Sequence, residues 1–275
     1  MAIVTLSTDI GQQDYIIGAI KGQLLSCNRD INIVDISHYL SQSNFPEAAY
    51  ICGNAFDHFP ENTIHIILLH FFESKVDHLL LVKYKNQFII CANNGIITMI
   101  ANGEPFEAYK ISFDNTNIFL ETTMLIAKKV NELIKDFLPN SIATLTTDYI
   151  IKLPLQPTIS SNWIKGQIIF IDNFENVVVN ITKPIFEEHR KGRRFNIVLK
   201  RNEVIGYLSD NYLSVNEGEK LAWFNSAGYL ELAVNKGNMA GLFGLEGFNE
   251  INYKEGKSMQ NKLFYTTATI LFEDE

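Results

Sequence analysis

The chain has 275 residues, 47% of them hydrophobic, enough to bury a substantial core as one large domain or two ordinary ones. Its net charge of −8 opposes broad attraction to nucleic acid or anionic lipid, because phosphate binding needs a concentrated positive surface. No apolar run approaches the roughly 20 residues that span a bilayer, and the cysteines, Cys27, Cys52 and Cys91, form no CxxC or Cys/His set, which argues against a zinc site and a disulfide framework alike.

The chain opens on an apolar run from Val4 that ends in Thr8-Asp9-Ile10-Gly11, and helical spacing follows from Ile16 to Leu25. Asp9 therefore sits where a strand turns toward a helix. In open parallel sheets ligands bind outside the carboxyl ends of the strands, and a carboxylate there can accept two hydrogen bonds from a vicinal diol. The alternative is that Asp9 or Asp14 only caps the helix. Taken alone, the stretch favours the cap; the segments further along shift the reading toward a ribose holder.

Ile31 to Ile36 reads as a second strand, Phe45 to Phe59 as a helix with Pro46 near its start, and Ile64 to Leu69 as a third strand. Leu79 to Tyr84 and Gln87 to Cys91, joined by Lys85-Asn86, read as a hairpin, and Thr122 to Phe137 carries a helical apolar stripe. This alternation predicts an α/β domain over residues 1–155 with a central, mostly parallel sheet. Asn93 to Thr98 reads as a tight turn presenting amides, Asn94 among them, near the sheet edge.

From Lys152 to Asn162 prolines and serines suggest a linker. Beyond it only short strand-like runs occur, ending with Lys262 to Leu271, so residues 163–275 are expected to form an all-β sandwich or small barrel. The basic cluster from His189 to Arg194 reads as a solvated loop tip, though it could dock an acidic partner. Two polar breaks between strands are candidate binding turns. One, Asp172-Asn173-Phe174-Glu175-Asn176, offers a carboxylate, an aromatic face and an amide; the other contains Asn225-Ser226-Ala227-Gly228. Either could be an ordinary hairpin loop. The start of the chain has no basic region followed by an apolar segment, so a cytoplasmic location is expected.

In order and spacing, Thr8-Asp9-Ile10-Gly11, Ile33 to His38, Phe59 to His65, Asn94-Gly95, Asp172 to Asn176 and Asn225 to Glu231 resemble the family of S-adenosyl-L-methionine (SAM) hydrolases, the SAM hydroxide adenosyltransferases, related to the fluorinases and chlorinases. The resemblance covers nearly the whole chain. It implies an α/β domain followed by a β-barrel, a homotrimer, and SAM as substrate with no further cofactor or metal. It also implies roles: Asp9 for the ribose hydroxyls, Asp172 and Ser226 for the methionine part, and Phe174 and Asn176 beside the adenine, with Asn94 as a further substrate-binding residue.

The water-activating trio of the hydrolases does not match. The family's Asp-Pro-Gly loop and following arginine align with His70 to His78, which puts His70 at the Asp position and Asp77 at the Arg position; the histidine falls at or near Asp114. Either catalysis persists with His70 as base or water-orienting group and Asp77 or Asp114 fixing its tautomer, or the chain binds an adenosyl ligand without turning it over. An interaction scaffold is a third class. His38 and His65 are expected to be structural.

Overall fold

The computed structural model describes residues 1–71, 78–112, 118–199, 203–248, 263 and 266–273. Backbone contacts divide the chain into two compact units, Met1–Pro154 and Leu155–Glu275.

The first unit runs β1 (Ala2–Thr8), α1 (Ile16–Cys27), β2 (Ile31–Ser37), α2 (Phe45–Phe56), β3 (Ile64–Leu68), β4 (His78–Tyr84), β5 (Gln87–Ala92), α3 (Ile96–Ala101), β6 (Glu107–Ser112), α4 (Phe119–Leu133) and β7 (Thr144–Thr146). Its sheet has the order β2-β1-β3-β5-β4-β6-β7. β2, β1, β3 and β5 are mutually parallel, while β4, β6 and β7 add antiparallel pairings. The strands at the centre are buried on both faces, which is why they read as continuous apolar runs rather than alternating ones.

Successive residues nevertheless serve opposite layers, as the two-residue period of a strand requires. Ile64, Ile66 and Leu68 join α1 and α4 on one face through Ile20, Leu24, Ile126 and Val130. Ile67 and Leu69 join α2 and α3 on the other through Ala48, Cys52, Phe56 and Ile97. α2 begins where Asn44 accepts a hydrogen bond from the Glu47 backbone N–H, with Pro46 in the first turn, and it stops at Phe56, short of the predicted Phe59. The stretch expected to be only a turn, Asn93 to Thr98, instead leads straight into α3. Gly95 at φ +89° precedes its first residue, Asn94 Oδ1 accepts from the Ile96 N–H, and Ile96, Ile97 and Ile100 are all buried.

The second unit contains β8 (Thr158–Ile159), β9 (Trp163–Ile171), β10 (Val177–Thr182), α5 (Lys183–Arg190), β11 (Phe195–Val198), β12 (Val204–Ile205), β13 (Lys220–Phe224), β14 (Tyr229–Val234), α6 (Met239–Phe243) and β15 (Thr267–Phe272). Its antiparallel sheet runs β12-β11-β15-β9-β10-β14-β13, and β12 approaches β13, so the sheet curls into a nearly closed barrel. Phe186, Phe243, Leu230 and Ile270 lie in its core.

The barrel expected for this half is present, and two short helices, α5 and α6, are added to it. α5 is short, starts with a proline in its first turn and buries only Phe186, so it lacks the repeating stripe by which a helix is recognised. The basic cluster is also not a purely solvated tip. Arg190 Nε donates to Arg193 O and Arg193 Nε to Arg190 O, while Arg193 Nη2 reaches His189 O at 2.7 Å. Arg193 thus satisfies the last two carbonyls of α5, while Arg190 closes the turn that follows it. Among the described residues no helix is long and apolar enough to cross a membrane.

Candidate functional site

Four parallel strands deliver their carboxyl ends to one edge of the first sheet, and the chain leaving β1, β3 and β5 there carries Asp9, His70 and Asn94. Asp9 is held from both sides: its backbone N–H donates to Leu68 O at 3.2 Å, and its Oδ2 accepts the His70 backbone N–H at 3.0 Å. The Gln42 side chain supplies another hydrogen bond to the carboxylate. Asn94 Nδ2 donates to Leu69 O at 2.8 Å, which ties the end of β5 to the same corner. Burial raises the Asp9 carboxyl above its ordinary value, against the pull of these hydrogen bonds. The N-cap position of α1 is Tyr15, with no side-chain cap bond; Asp14 Oδ1 accepts the Ile16 N–H just ahead of it, and Asp9 is not the cap of α1.

The loop that carries Asp9 is fastened by His38. Gly11 N–H donates to His38 O at 2.6 Å, and Thr8 Oγ1 lies 3.1 Å from His38 Nδ1. Burial lowers the His38 pKa, partly offset by Asp35, whose Oδ1 is 3.2 Å from His38 Nε2. Burial alone would raise the Asp35 carboxyl; Lys21 and His38 beside it outweigh that and hold it below the usual value.

His65 lies inside the unit, away from this edge. It stacks on Phe56 with ring centroids 3.7 Å apart, and its Nε2 faces Gln87 Oε1 while Nδ1 faces Thr5 Oγ1. Because burial pushes its pKa down to about 4, it is a neutral structural imidazole. Cys52 and Cys91 are buried thiols pushed up to about 12 and offer no nucleophile.

His70 adopts φ +49° at the exit of β3, and its imidazole packs against Phe45 with ring centroids 5.6 Å apart. The segment from Asp148 to Lys152 lies along the same edge. Ile150 N–H donates to Asn93 Oδ1 at 2.8 Å, and Lys152 N–H donates to Thr98 Oγ1 at 2.9 Å. Thr98 Oγ1 in turn lies 2.9 Å from Lys152 O. The Lys152 Nζ is 3.3 Å from the centre of the Phe45 ring. In the sequence Lys152 reads as the first residue of a linker, and Phe45 as no more than the start of a helix. Their contact joins residues far apart in the chain, and no local pattern announces it. Asp77 and Asp114 lie outside the described residues.

In the second unit the two candidate turns meet through one buried carboxylate. Asp172 Oδ1 accepts the N–H groups of Phe174 and Asn176, and Oδ2 accepts Asn176 Nδ2, each at 2.9 Å, which gives the β9–β10 turn a fixed shape. Asn176 Nδ2 also donates to the Tyr212 hydroxyl, which donates to Glu231 Oε1 at 2.6 Å. Trp223 Nε1 and Asn225 Nδ2 donate to the same carboxylate, so the turn holding Ser226 is tied to the turn holding Asp172. The sequence shows Glu231 only as the last residue of a motif; a lone acidic residue in an apolar strand is the signal of its role. Phe174 is 78% exposed and Ser226 is also exposed, so both side chains face outward on this unit. Among the described residues no three His, Cys, Asp or Glu side chains converge as a metal-ligand set.

Comparison with known proteins agrees with this layout. The model of the SAM hydroxide adenosyltransferase N-terminal domain matches residues 4–131, and that of the C-terminal domain matches residues 166–252, together well over half of the chain. The chain is 22% identical over 267 residues to the (R)-S-adenosyl-L-methionine hydrolase of Methanocaldococcus jannaschii, covering 90% of this chain and 94% of that protein. It is also 22% identical over 305 residues to a fluorinase of Actinopolyspora mzabensis, covering 94% and 96% respectively. The crystal structure of an uncharacterised conserved protein from Thermotoga maritima superposes with a TM-score of 0.80 at 20% identity, covering 98% of this chain and 99% of the other, and so has the same fold.

Proposed function

We propose, from the premise that this chain belongs to the SAM hydroxide adenosyltransferase family, that it binds SAM or adenosine and hydrolyses SAM to adenosine and methionine. A water oxygen attacks the 5′ carbon in line with the carbon–sulfur bond. That bond breaks with its electron pair going to sulfur, which leaves as the neutral thioether of methionine, and the water proton passes to a base or to solvent. Sulfonium is already a good leaving group, so positioning and exclusion of bulk water supply much of the acceleration.

The observation that carries the reading is the set of bonds around Asp9. A carboxylate has about four lone-pair sites. The His70 N–H, the Asp9 N–H and Gln42 all draw on them, and the acceptor capacity that remains on a charged carboxylate is what a ribose hydroxyl needs. His70 is the proposed base or water-orienting group, with Asp77 or Asp114 as its partner. A homotrimer acting in the cytoplasm goes with this reading, the outward Phe174 of a neighbouring copy lying beside the adenine and its Ser226 holding the methionine part.

A second reading, ligand binding without turnover, is favoured by one detail: His70 engages Asp9 through its backbone while its imidazole packs on Phe45. Incubation of the purified protein with SAM, followed by chromatography for adenosine and methionine, separates the two. The enzyme reading expects both products to accumulate and to slow in His70→Ala. A thermal shift with adenosine and no products leaves the binder; no shift with either compound refutes both.

A further inference from the structure

Lys152 is built into the edge that carries Asp9. Its backbone is clamped by the Thr98 hydroxyl, and its aliphatic stem lies across Gly95, where an added methyl would come within 2.6 Å of Lys152 Cγ. Its ammonium rests on the face of Phe45, the same ring that packs against the His70 imidazole. Aromatic faces attract cations through the ring quadrupole, and they recognise onium ligands in this way. The 5′ substituent of a ribose lies only a few bonds from its 2′,3′-diol. A diol on Asp9 therefore brings a 5′ sulfonium within reach of the side chains flanking His70.

We propose that Lys152 is a specificity-determining residue which sets the charge preference of the site: its ammonium occupies the Phe45 face that a sulfonium would take, so a cationic ligand binds only by displacing it or at the cost of like-charge repulsion. Neutral adenosine and the neutral thioether S-adenosylhomocysteine meet no such competition. This inference rests on the nucleoside reading of Asp9 given above. Occupation of the site by SAM is then weaker than its contacts alone would give, and it responds to the concentration of SAM rather than saturating early.

The test compares SAM with S-adenosylhomocysteine and adenosine by titration calorimetry, on the full chain and on Lys152→Met, whose unbranched side chain keeps apolar atoms over Gly95. The variant is expected to bind SAM roughly 2- to 30-fold more tightly, the range of a cation–aromatic contact. The two neutral ligands are expected to change less than about twofold, within the scatter of a surface substitution. Lys152→Arg, which keeps the charge, should leave SAM weak. Unchanged SAM affinity in Lys152→Met overturns the inference while leaving the nucleoside site standing. Equal weakening of SAM and S-adenosylhomocysteine also overturns it, by placing the ammonium on the amino-acid carboxylate that both share. If the native chain binds none of the three ligands, the nucleoside reading falls and the inference with it.

Discussion

Replacing Asp9 by asparagine tests the ribose assignment most directly. In the folded chain one oxygen of Asp9 accepts the His70 N–H, and Gln42 holds the carboxylate as well. The amide of Asp9→Asn keeps a single acceptor oxygen, still needed by the His70 N–H, so the variant can hold the loop but has one site left for the diol and no negative charge. Loss of one charge-assisted hydrogen bond and neutralisation of the other amount to about 2–4 kcal/mol. That corresponds to roughly a 30- to 700-fold rise in the Kd for adenosine.

Calorimetric titration at neutral pH should show this loss for adenosine and almost none for 2′,3′-dideoxyadenosine, which has no diol. The pH dependence supplies an independent arm. Burial holds the Asp9 carboxyl above 3.8, so adenosine affinity should decline on acidification at a higher pH than an exposed aspartate would give, and Asp9→Asn should flatten that profile. In the absence of ligand the same group has the opposite sign: a raised carboxyl pKa stabilises the folded state as pH falls and withdraws that stability as pH rises through it. Equal weakening of adenosine and the dideoxy compound in Asp9→Asn would refute the assignment.

Two further outcomes concern the scaffold. His65 is pushed down to about 4 from an unfolded value near 6.5, so its contribution is fully present above pH 6.5 and is lost as pH falls toward 4. The 2.5-unit difference is worth about 3 kcal/mol at most, and urea midpoints measured against pH should show that slope shrink in His65→Gln; an unchanged slope would place the acid sensitivity elsewhere. Gly95→Ala combines φ +89° with the approach to Lys152 Cγ and should cost about 1–3 kcal/mol, seen as a lower Tm. Pairing it with Lys152→Ala should recover the steric part, and strict additivity of the two changes would contradict the contact.

Much of the architecture is legible in the sequence because its causes are local. Apolar runs such as Ile64 to Leu68 mark strands buried on both faces, and the two-residue link at Lys85-Asn86 marks the β4–β5 hairpin. The position of Asp9 at a strand end is local in the same sense. α3 and α5 escape because six and eight residues are too few for a helical stripe to repeat. At the site, Asn94 and His70 can be placed by the strands they follow, whereas the Lys152–Phe45 contact and the Glu231 hub arise only when distant segments are brought together. Proline-rich composition also hides Lys152, since the prolines beyond it say nothing about the hydrogen bonds Thr98 makes before them.

The bond from Asp9 to position 70 uses a peptide N–H and no part of the imidazole. Any residue except proline brings that donor, so the hydrogen bond itself does not read the side chain, although φ +49° at this position disfavours β-branched residues. The loop leaving β3 can therefore change its reactive chemistry without loosening the carboxylate beside it. Retention of a ligand and transformation of that ligand are separable traits in this framework, and a chain could lose one while keeping the other intact.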